Sequence, residues 1–398
     1  MTTLLVISIV LVILVALGIH EKLQHDRNLE SIPIRIHVNG TRGKSSVARL
    51  LASALRENGI RTLGKTTGTL PRIILPDGKE QTIYRKSSPN IIEQKNTIAL
   101  AAKLKVDAIV IECMALQPYL QWISESKLVK ATHTIITNTR EDHLEIMGPE
   151  VIDVAKSLAG STPINGVLVL GDNDYSDIYK IAVEDRGSSI EIVNQYELSD
   201  VTENFLNQFK YIEHKVNVAL SLKLANLLNL DPSKTRNGLM NTNPDPGALT
   251  IEEVKYYGKD LFFANGFAAN DPSSSRIIRD KLFQYYPNFK KLILVVNLRE
   301  DRIDRTLQLA KEFQTWTSVE AMILLGNNSE LFLSHINKDF KKNVPILVHN
   351  EPIVAEIFET ILSLSEQKSL ILGLGNIAGI GLELVTYFKN RKTEAHPH

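Results

Sequence analysis

The sequence has a single cysteine among 398 residues, which excludes an intramolecular disulfide, and Cys113 fits a reducing compartment. It also lacks a charge surplus of either sign. Forty-five Lys and Arg balance forty-five Asp and Glu, so the electrostatic footprint of a nucleic-acid-binding protein is missing and no nucleic-acid partner is expected. No internal repeat and no low-complexity tract interrupts the chain. What is present, 43% hydrophobic and 23% charged residues, is the composition of a globular protein long enough for two or three domains.

Charge is also missing, locally, from Leu4 to Ile19, "LLVISIVLVILVALGI". As a helix this stretch would cover roughly 24 Å, close to the hydrocarbon thickness of a bilayer. Met1-Thr2-Thr3 lacks the Lys or Arg of a signal-peptide n-region, and a buried helix would not be apolar on every face. A membrane anchor over 1–20 is the expectation, followed by a polar connector over 21–33. Because Lys22 and Arg27 both follow the segment, the positive-inside rule puts the remainder in the cytoplasm.

From Ile34 onward, short aliphatic runs alternate with helical periodicity, which predicts an α/β fold built on parallel sheets. "IRIHV", "DAIVI", "HTIIT" and "GVLVL" read as strands, with Glu112, Asn138 and Asp172 clustered at their carboxyl ends, where open α/β sheets bind ligands. A turn-rich break, "NTNPDPGALT", separates this P-loop-type domain (34–245) from a second, Rossmann-like α/β series (246–398) containing "KLILVV", "AMILL", "PILV" and "SLILGLGN". The latter's G-x-G lacks the spacing of a dinucleotide fingerprint, so a turn at a sheet end is expected rather than an NAD site.

Between "IRIHV" and a helix carrying Val47, Leu50, Leu51, Ala54 and Leu55 on one face stands "NGTRGKSS". Strand, glycine turn and helix come in the order of a phosphate cradle: backbone N–H groups, a helix N-terminus and the Lys44 ammonium would meet the phosphates, and Ser45 or Ser46 could place a hydroxyl on Mg²⁺. The usual loop spacing, however, would need glycine where Val38 stands. The shorter Gly40-Thr41-Arg42-Gly43-Lys44-Ser45-Ser46 resembles the loop of the Mur ligase superfamily, ATP-dependent enzymes that form amides through an acyl phosphate.

The resemblance extends through "IVIECMAL", "ITNTREDHLEIMG", "EHKVNVALSLKLANLL" and "VVNLREDRIDRT". With the N-terminal apolar segment, "GKTTGT", "PNIIEQK", "PDPGA" and "NGFAANDPSS", the chain is most similar to the ligase-subunit family of poly-γ-glutamate synthases. That resemblance implies ATP and Mg²⁺ as cofactors, glutamate and the growing poly-γ-glutamate chain as substrates, and small integral-membrane synthase subunits as partners. It implies Lys44, Glu112 and His143 as catalytic residues, with Ser45, Glu112 and His143 on the metal. Gly40, Thr41, Arg42, Gly43, Lys44, Ser45 and Ser46 would bind ATP, and Asn217 would meet the adenine. Arg302, Arg305 and Asn138 would contact substrate. The family's modified lysine position holds Leu158, with Lys156 two residues away, and neither is given that role. Two rival readings are a folylpolyglutamate synthase, which makes the same linkage on folate, and a membrane-tethered ATPase that regulates or drives export without forming an amide.

Overall fold

In the computed structural model, which describes residues 2–68, 70–85, 89–209, 211–269, 271–351 and 353–391, the chain divides into two units, Met1–Asp245 and Pro246–His398. Thr69 of the "GKTTGT" motif and Asn270 of "NGFAANDPSS" lie outside the described residues.

The strands of the first unit are β1 (Ile34–Asn39), β2 (Thr62–Thr66), β3 (Arg72–Ile74), β4 (Glu80–Thr82), β5 (Ala108–Glu112), β6 (His133–Ile136), β7 (Val167–Leu170) and β8 (Ser189–Ile192). They form one sheet in the order β4-β3-β2-β5-β1-β6-β7-β8, parallel except for the β2-β3-β4 meander at one edge. Register fixes the functional edge. Val38 pairs with Glu112 and Asn39 with Ile136, so the three central strands end together and their following loops share one rim.

Helix Lys44–Glu57 leaves that rim and is buried along Val47–Leu55, because helices Lys215–Leu227 and Pro232–Met240 cover the side that the sheet does not. Val47, Leu50, Leu51 and Leu55 are at most 1% exposed, each contributing about 1.5–3 kcal/mol by burial. Gly238 permits the close crossing: a Cβ there would lie 2.8 Å from the Ala54 Cα. Asn58 and Gly59 end the helix as expected, Gly59 at φ 81°.

The N-terminal apolar stretch belongs to a continuous helix, Thr2–Glu30, long and apolar enough to cross a membrane, whose apolar turns are exposed. The helix runs on through most of 21–33, and its last turns dock on the unit. His25, Leu29 and Ile32 are buried, His25 Nε2 donates to the Leu128 carbonyl (2.9 Å), and Asp26 pairs with Lys130 (2.7 Å). Glu21 pairs with Lys95. Polar composition suggested a linker, but the buried residues recur every three to four positions, as helical docking requires.

The second unit contains β9 (Thr250–Tyr256), β10 (Lys259–Asn265), β11 (Leu292–Asn297), β12 (Val319–Leu325), β13 (Ile346–His349) and β14 (Lys368–Leu374), ordered β13-β12-β11-β14-β10-β9. All neighbours pair in parallel except β9 with β10, which form a hairpin through Tyr257 and Gly258. Both turn residues have positive φ (47° and 75°), as a two-residue hairpin matching strand twist requires. Phe263 and Phe388 stack at 4.1 Å inside its core.

Candidate active site

The loop after β1 is held by side chains from the ends of β1 and β6. Asn39, 2% exposed, accepts from the Gly40 amide (2.8 Å) and donates to Gln121 (2.7 Å) and Ser161 (2.8 Å). Gly40 adopts φ 126°, and a Cβ there would stand 2.1 Å from Thr137 Oγ1, so only glycine fits. The Thr137 hydroxyl in turn donates to the Arg42 carbonyl (2.6 Å).

Asn138 is spent on the same loop. Its Oδ1 accepts from Thr41 Oγ1 (2.6 Å) and the Arg42 amide (3.1 Å), and its Nδ2 donates to the Arg42 carbonyl (3.0 Å). Three of its four hydrogen-bonding positions are thereby occupied by loop support.

Gly43, at φ 84°, starts helix Lys44–Glu57, which has no side-chain cap on its first-turn amides. Uncapped amides and the helix dipole make this end an anion site. Lys44 curls over the loop, its ammonium donating to the carbonyls of Gly40 (2.7 Å) and Thr41 (3.2 Å), and Ser46 is half-buried on the first turn. Asn217 sits against the loop: a Cβ on Gly43 would come within 2.6 Å of its Oδ1, while its Nδ2 donates to Glu213 (2.8 Å). The buried amide is thus packed against the loop.

Ser45 and Glu112 are brought together. The Ser45 hydroxyl donates to Glu112 Oε2 at 2.8 Å, and the Thr67 amide donates to the same oxygen at 2.6 Å. The carboxylate is 3% exposed, at the foot of the loop. Gly68 leaves the space beside it open: a Cβ there would lie 3.0 Å from Ser45 Oγ and 3.8 Å from Asp245 Oδ2. Oxygen donors of this kind fit Mg²⁺. Among the described residues no three His, Cys, Asp or Glu side chains converge, so an ion on Ser45 and Glu112 would take most of its other ligands from phosphate and water, the habit of Mg²⁺.

His143 is separated from that pair in its bonding. At φ 46° it turns Nδ1 toward Glu145 (3.2 Å) and leaves Nε2 3.9 Å from Asp142, which approaches Arg42 at 3.6 Å. Leu158 is fully buried, and Lys156 pairs with Asp153 at 3.1 Å on the surface. In the second unit Arg299 grips Asp301 with both ends of its fork (2.7 Å each), and Arg302 Nε stands 3.7 Å from the same carboxylate. Arg305 is half-buried on the first turn of helix Ile303–Phe313.

Behind the loop lies a pair that the sequence did not single out. His37 on β1 bonds Glu125 at 2.7 Å with both side chains buried, and Glu125 also accepts from the Ala131 amide (2.7 Å). Burial opposes a charged imidazole, but Cys113 and Glu125 outweigh it and raise the pKa to about 10. Thr67, Thr137, Asn39 and Gln121 were likewise missed. The conspicuous signal was "GKTTGT", which contains Thr67.

Known proteins resemble this chain along both units. The Mur ligase middle domain matches residues 38–228, and the poly-gamma-glutamate synthase CapB C-terminal domain matches residues 251–391. The Bacillus anthracis capsule biosynthesis protein CapB is 37% identical over 336 residues, 84% of this chain and 72% of that protein. PGA synthase CapB of Bacillus subtilis is 34% identical over 376 residues, 94% of each. Among solved structures, the folylpolyglutamate synthase of Thermotoga maritima aligns with TM-score 0.64 at 17% identity, covering 94% of both chains. A bifunctional folylpolyglutamate synthase/dihydrofolate synthase from Yersinia pestis, complexed with AMPPNP and Mn, aligns with TM-score 0.68 at 14% identity, covering 91% of both. The structural likeness fixes the fold, and the sequence identity across both units fixes the family: the chain belongs to the CapB family of poly-γ-glutamate synthases, within the Mur ligase superfamily.

Proposed function

We propose that this protein is an ATP- and Mg²⁺-dependent ligase that lengthens poly-γ-glutamate by forming γ-amide bonds. The observation that carries the reading is the Ser45–Glu112 pair, 2.8 Å apart beneath an uncapped helix N-terminus and the Lys44 ammonium. Its support from relatives is the PGA synthase named above, and a Yersinia pestis folylpolyglutamate synthase/dihydrofolate synthase described with Mn, AMPPNP and L-glutamate bound.

In this reading the amides of Gly40–Ser46 and Lys44 receive the ATP phosphates, Lys44 exchanging the Gly40 and Thr41 carbonyls for phosphate oxygens. Ser45 and Glu112, with His143 as a further ligand, would hold Mg²⁺, which when bound neutralises phosphate charge. A γ-carboxylate oxygen bonds to the γ-phosphorus as the bond to ADP breaks. The amine of the next glutamate then attacks the acyl carbon, C–N forms, phosphate leaves and the amine loses its proton. Catalysis is chiefly positioning and electrostatics. Arg302 and Arg305 are assigned to the carboxylates of the incoming glutamate, which suits planar guanidinium forks.

The nucleotide chemistry is assigned to 34–245 and the glutamate site to 246–398. Helix Thr2–Glu30 is assigned as a single-pass anchor beside small integral-membrane synthase subunits, with both units in the cytoplasm. ATP, Mg²⁺ and radiolabelled glutamate supplied to membranes containing the complete synthase should yield polymer that a γ-glutamyl hydrolase degrades, and Lys44→Ala should abolish it. ATP hydrolysis with no glutamate incorporated would replace this reading with that of a regulatory or export ATPase.

A further inference from the structure

A cavity of about 500 Å³ opens in the first unit between β3, residues 83–85 and helix Ile92–Lys103. Ile73, Ile83, Ile92 and Leu100 give it apolar walls, while Lys65 and Arg85 give it charge. Its volume lies within the range of small-molecule sites, roughly 300–1,000 Å³. The steps assigned above make no use of it.

Its charges do not balance. Arg85 grips Glu93 with both arms of its fork (2.7 and 3.0 Å), and Lys65 Nζ stands 3.3 Å from the same carboxylate. Among the described residues that line the cavity, two cations thus share one anion, while Glu112 outside it adds a weaker pull on Lys65. Lys65 is fully buried, and it also donates to two neutral acceptors, Gln94 Oε1 at 2.8 Å and the Met114 sulfur at 3.4 Å. Burying an ammonium is costly, and burial pulls the Lys65 pKa down, with Arg85 adding to that, against the pull of Glu93 and, more weakly, of Glu112. A second anion in the cavity would relieve that cost.

The position is also informative. Lys65 is the penultimate residue of β2, toward the strand rim that carries the phosphate loop. Gln94, which accepts from Lys65, donates to the Glu112 main-chain carbonyl at 3.0 Å. Two hydrogen bonds therefore separate the cavity's ammonium from the residue that holds Ser45.

We propose that this cavity is the carboxylate subsite for the growing end of the polymer: it takes the α-carboxylate of the residue whose γ-carboxylate is activated at Ser45 and Glu112. The fit is chemical. A γ-linked glutamate presents two methylenes to an apolar wall and one free carboxylate to a cationic floor. Arg85, 19% exposed, reaches the ligand, and buried Lys65 supplies field from below. The assignment rests on the ligase reading.

The test uses the full-length chain with two γ-linked triglutamate acceptors, one native and one carrying an α-carboxamide on its last residue. Wild type should prefer the carboxylate by about tenfold or more in kcat/KM, the scale of a charge-assisted hydrogen bond. Arg85→Gln should erase that preference while leaving KM for ATP unchanged. Asn90→Asp keeps an Oδ1 to accept from the Ile92 amide but adds a negative charge at the cavity, and it should raise KM for the native acceptor alone. A preference that survives in Arg85→Gln, or an Asn90→Asp enzyme with unaltered acceptor KM, overturns the subsite and leaves the ligase reading standing. Wild type that adds glutamate to neither acceptor, even with the complete synthase, overturns both.

Discussion

After β1 the chain turns through Gly40 and Gly43 into a helix, and after β14 it turns through Gly375 and Gly379 into another. All four glycines have positive φ. In both turns a residue at the end of the neighbouring strand braces the backbone: Thr137 and Asn138 in the first, and in the second Asn297, whose amide donates to the carbonyls of Asn376 (2.6 Å) and Ala378 (3.1 Å). The difference lies in what surrounds the turn. Lys44, Ser45 and Glu112 gather at the first, whereas Asn376, Ile377 and Ala378 bring no charge to the second. A glycine turn at a sheet end is thus a shared backbone device, and chemistry enters only where a cation, a hydroxyl and a carboxylate are added.

The contrast can be broken most severely at Lys44. Lys44→Ala should cut ATP-dependent glutamate incorporation by roughly a hundredfold or more, while thermal melting stays near wild type, because its amine bonds only loop carbonyls here. Next comes Glu112→Gln, which keeps an acceptor for Ser45 and Thr67 but removes the charge. Mg²⁺ affinity, read by titration calorimetry with a non-hydrolysable nucleotide, should fall by about tenfold or more.

A paired glycine exchange sharpens the comparison. Gly40→Ala should lose nucleotide binding, because its Cβ has no room beside Thr137. Gly375→Ala, whose Cβ would lie 2.4 Å from the Asn297 carbonyl, should destabilise the second unit by about 1–3 kcal/mol and leave nucleotide affinity intact. Arg302→Gln should raise the KM for glutamate about tenfold with KM for ATP unchanged. A separate test is a pH dependence behind the first turn. The His37 pKa is raised above its unfolded value, so its stabilisation is complete below about pH 6.5 and fades as pH rises toward 10. The stability gap between wild type and His37→Gln, from urea unfolding, should therefore narrow across that interval.

How much of this was legible in the sequence follows from the range of the interactions. Strands such as Ala108–Glu112 and Leu292–Asn297 are apolar runs ending in polar residues, and helix Lys44–Glu57 has both its periodicity and its stop signal in order. These are local properties. The β2-β3-β4 meander was not foreseen, since "RII" and "EQT" are too short and too polar to declare themselves. The Ser45–Glu112 meeting could be anticipated because both follow strand ends, but the grip of Asn138 on Arg42 could not, since it joins residues 96 apart in sequence. His37 and Glu125, 88 apart, are invisible for the same reason: an ion pair buried beneath a widened helical turn leaves no periodic trace.

The helix that begins at Thr2 reaches the fold without a joint. Its last turns are held by Lys95, Leu128 and Lys130, and Leu128 shares its widened turn, Ser124–Val129, with Glu125, which grips β1 through His37. Apolar helix and phosphate loop are therefore indexed to one another like a key blade to its bow. Inserting one residue ahead of Glu21 would rotate the apolar segment by about 100° and advance it by about 1.5 Å relative to the sheet. Four inserted residues would nearly restore the facing, some 6 Å farther out. For any bilayer this helix enters, the height and bearing of the nucleotide site are counted out in residues.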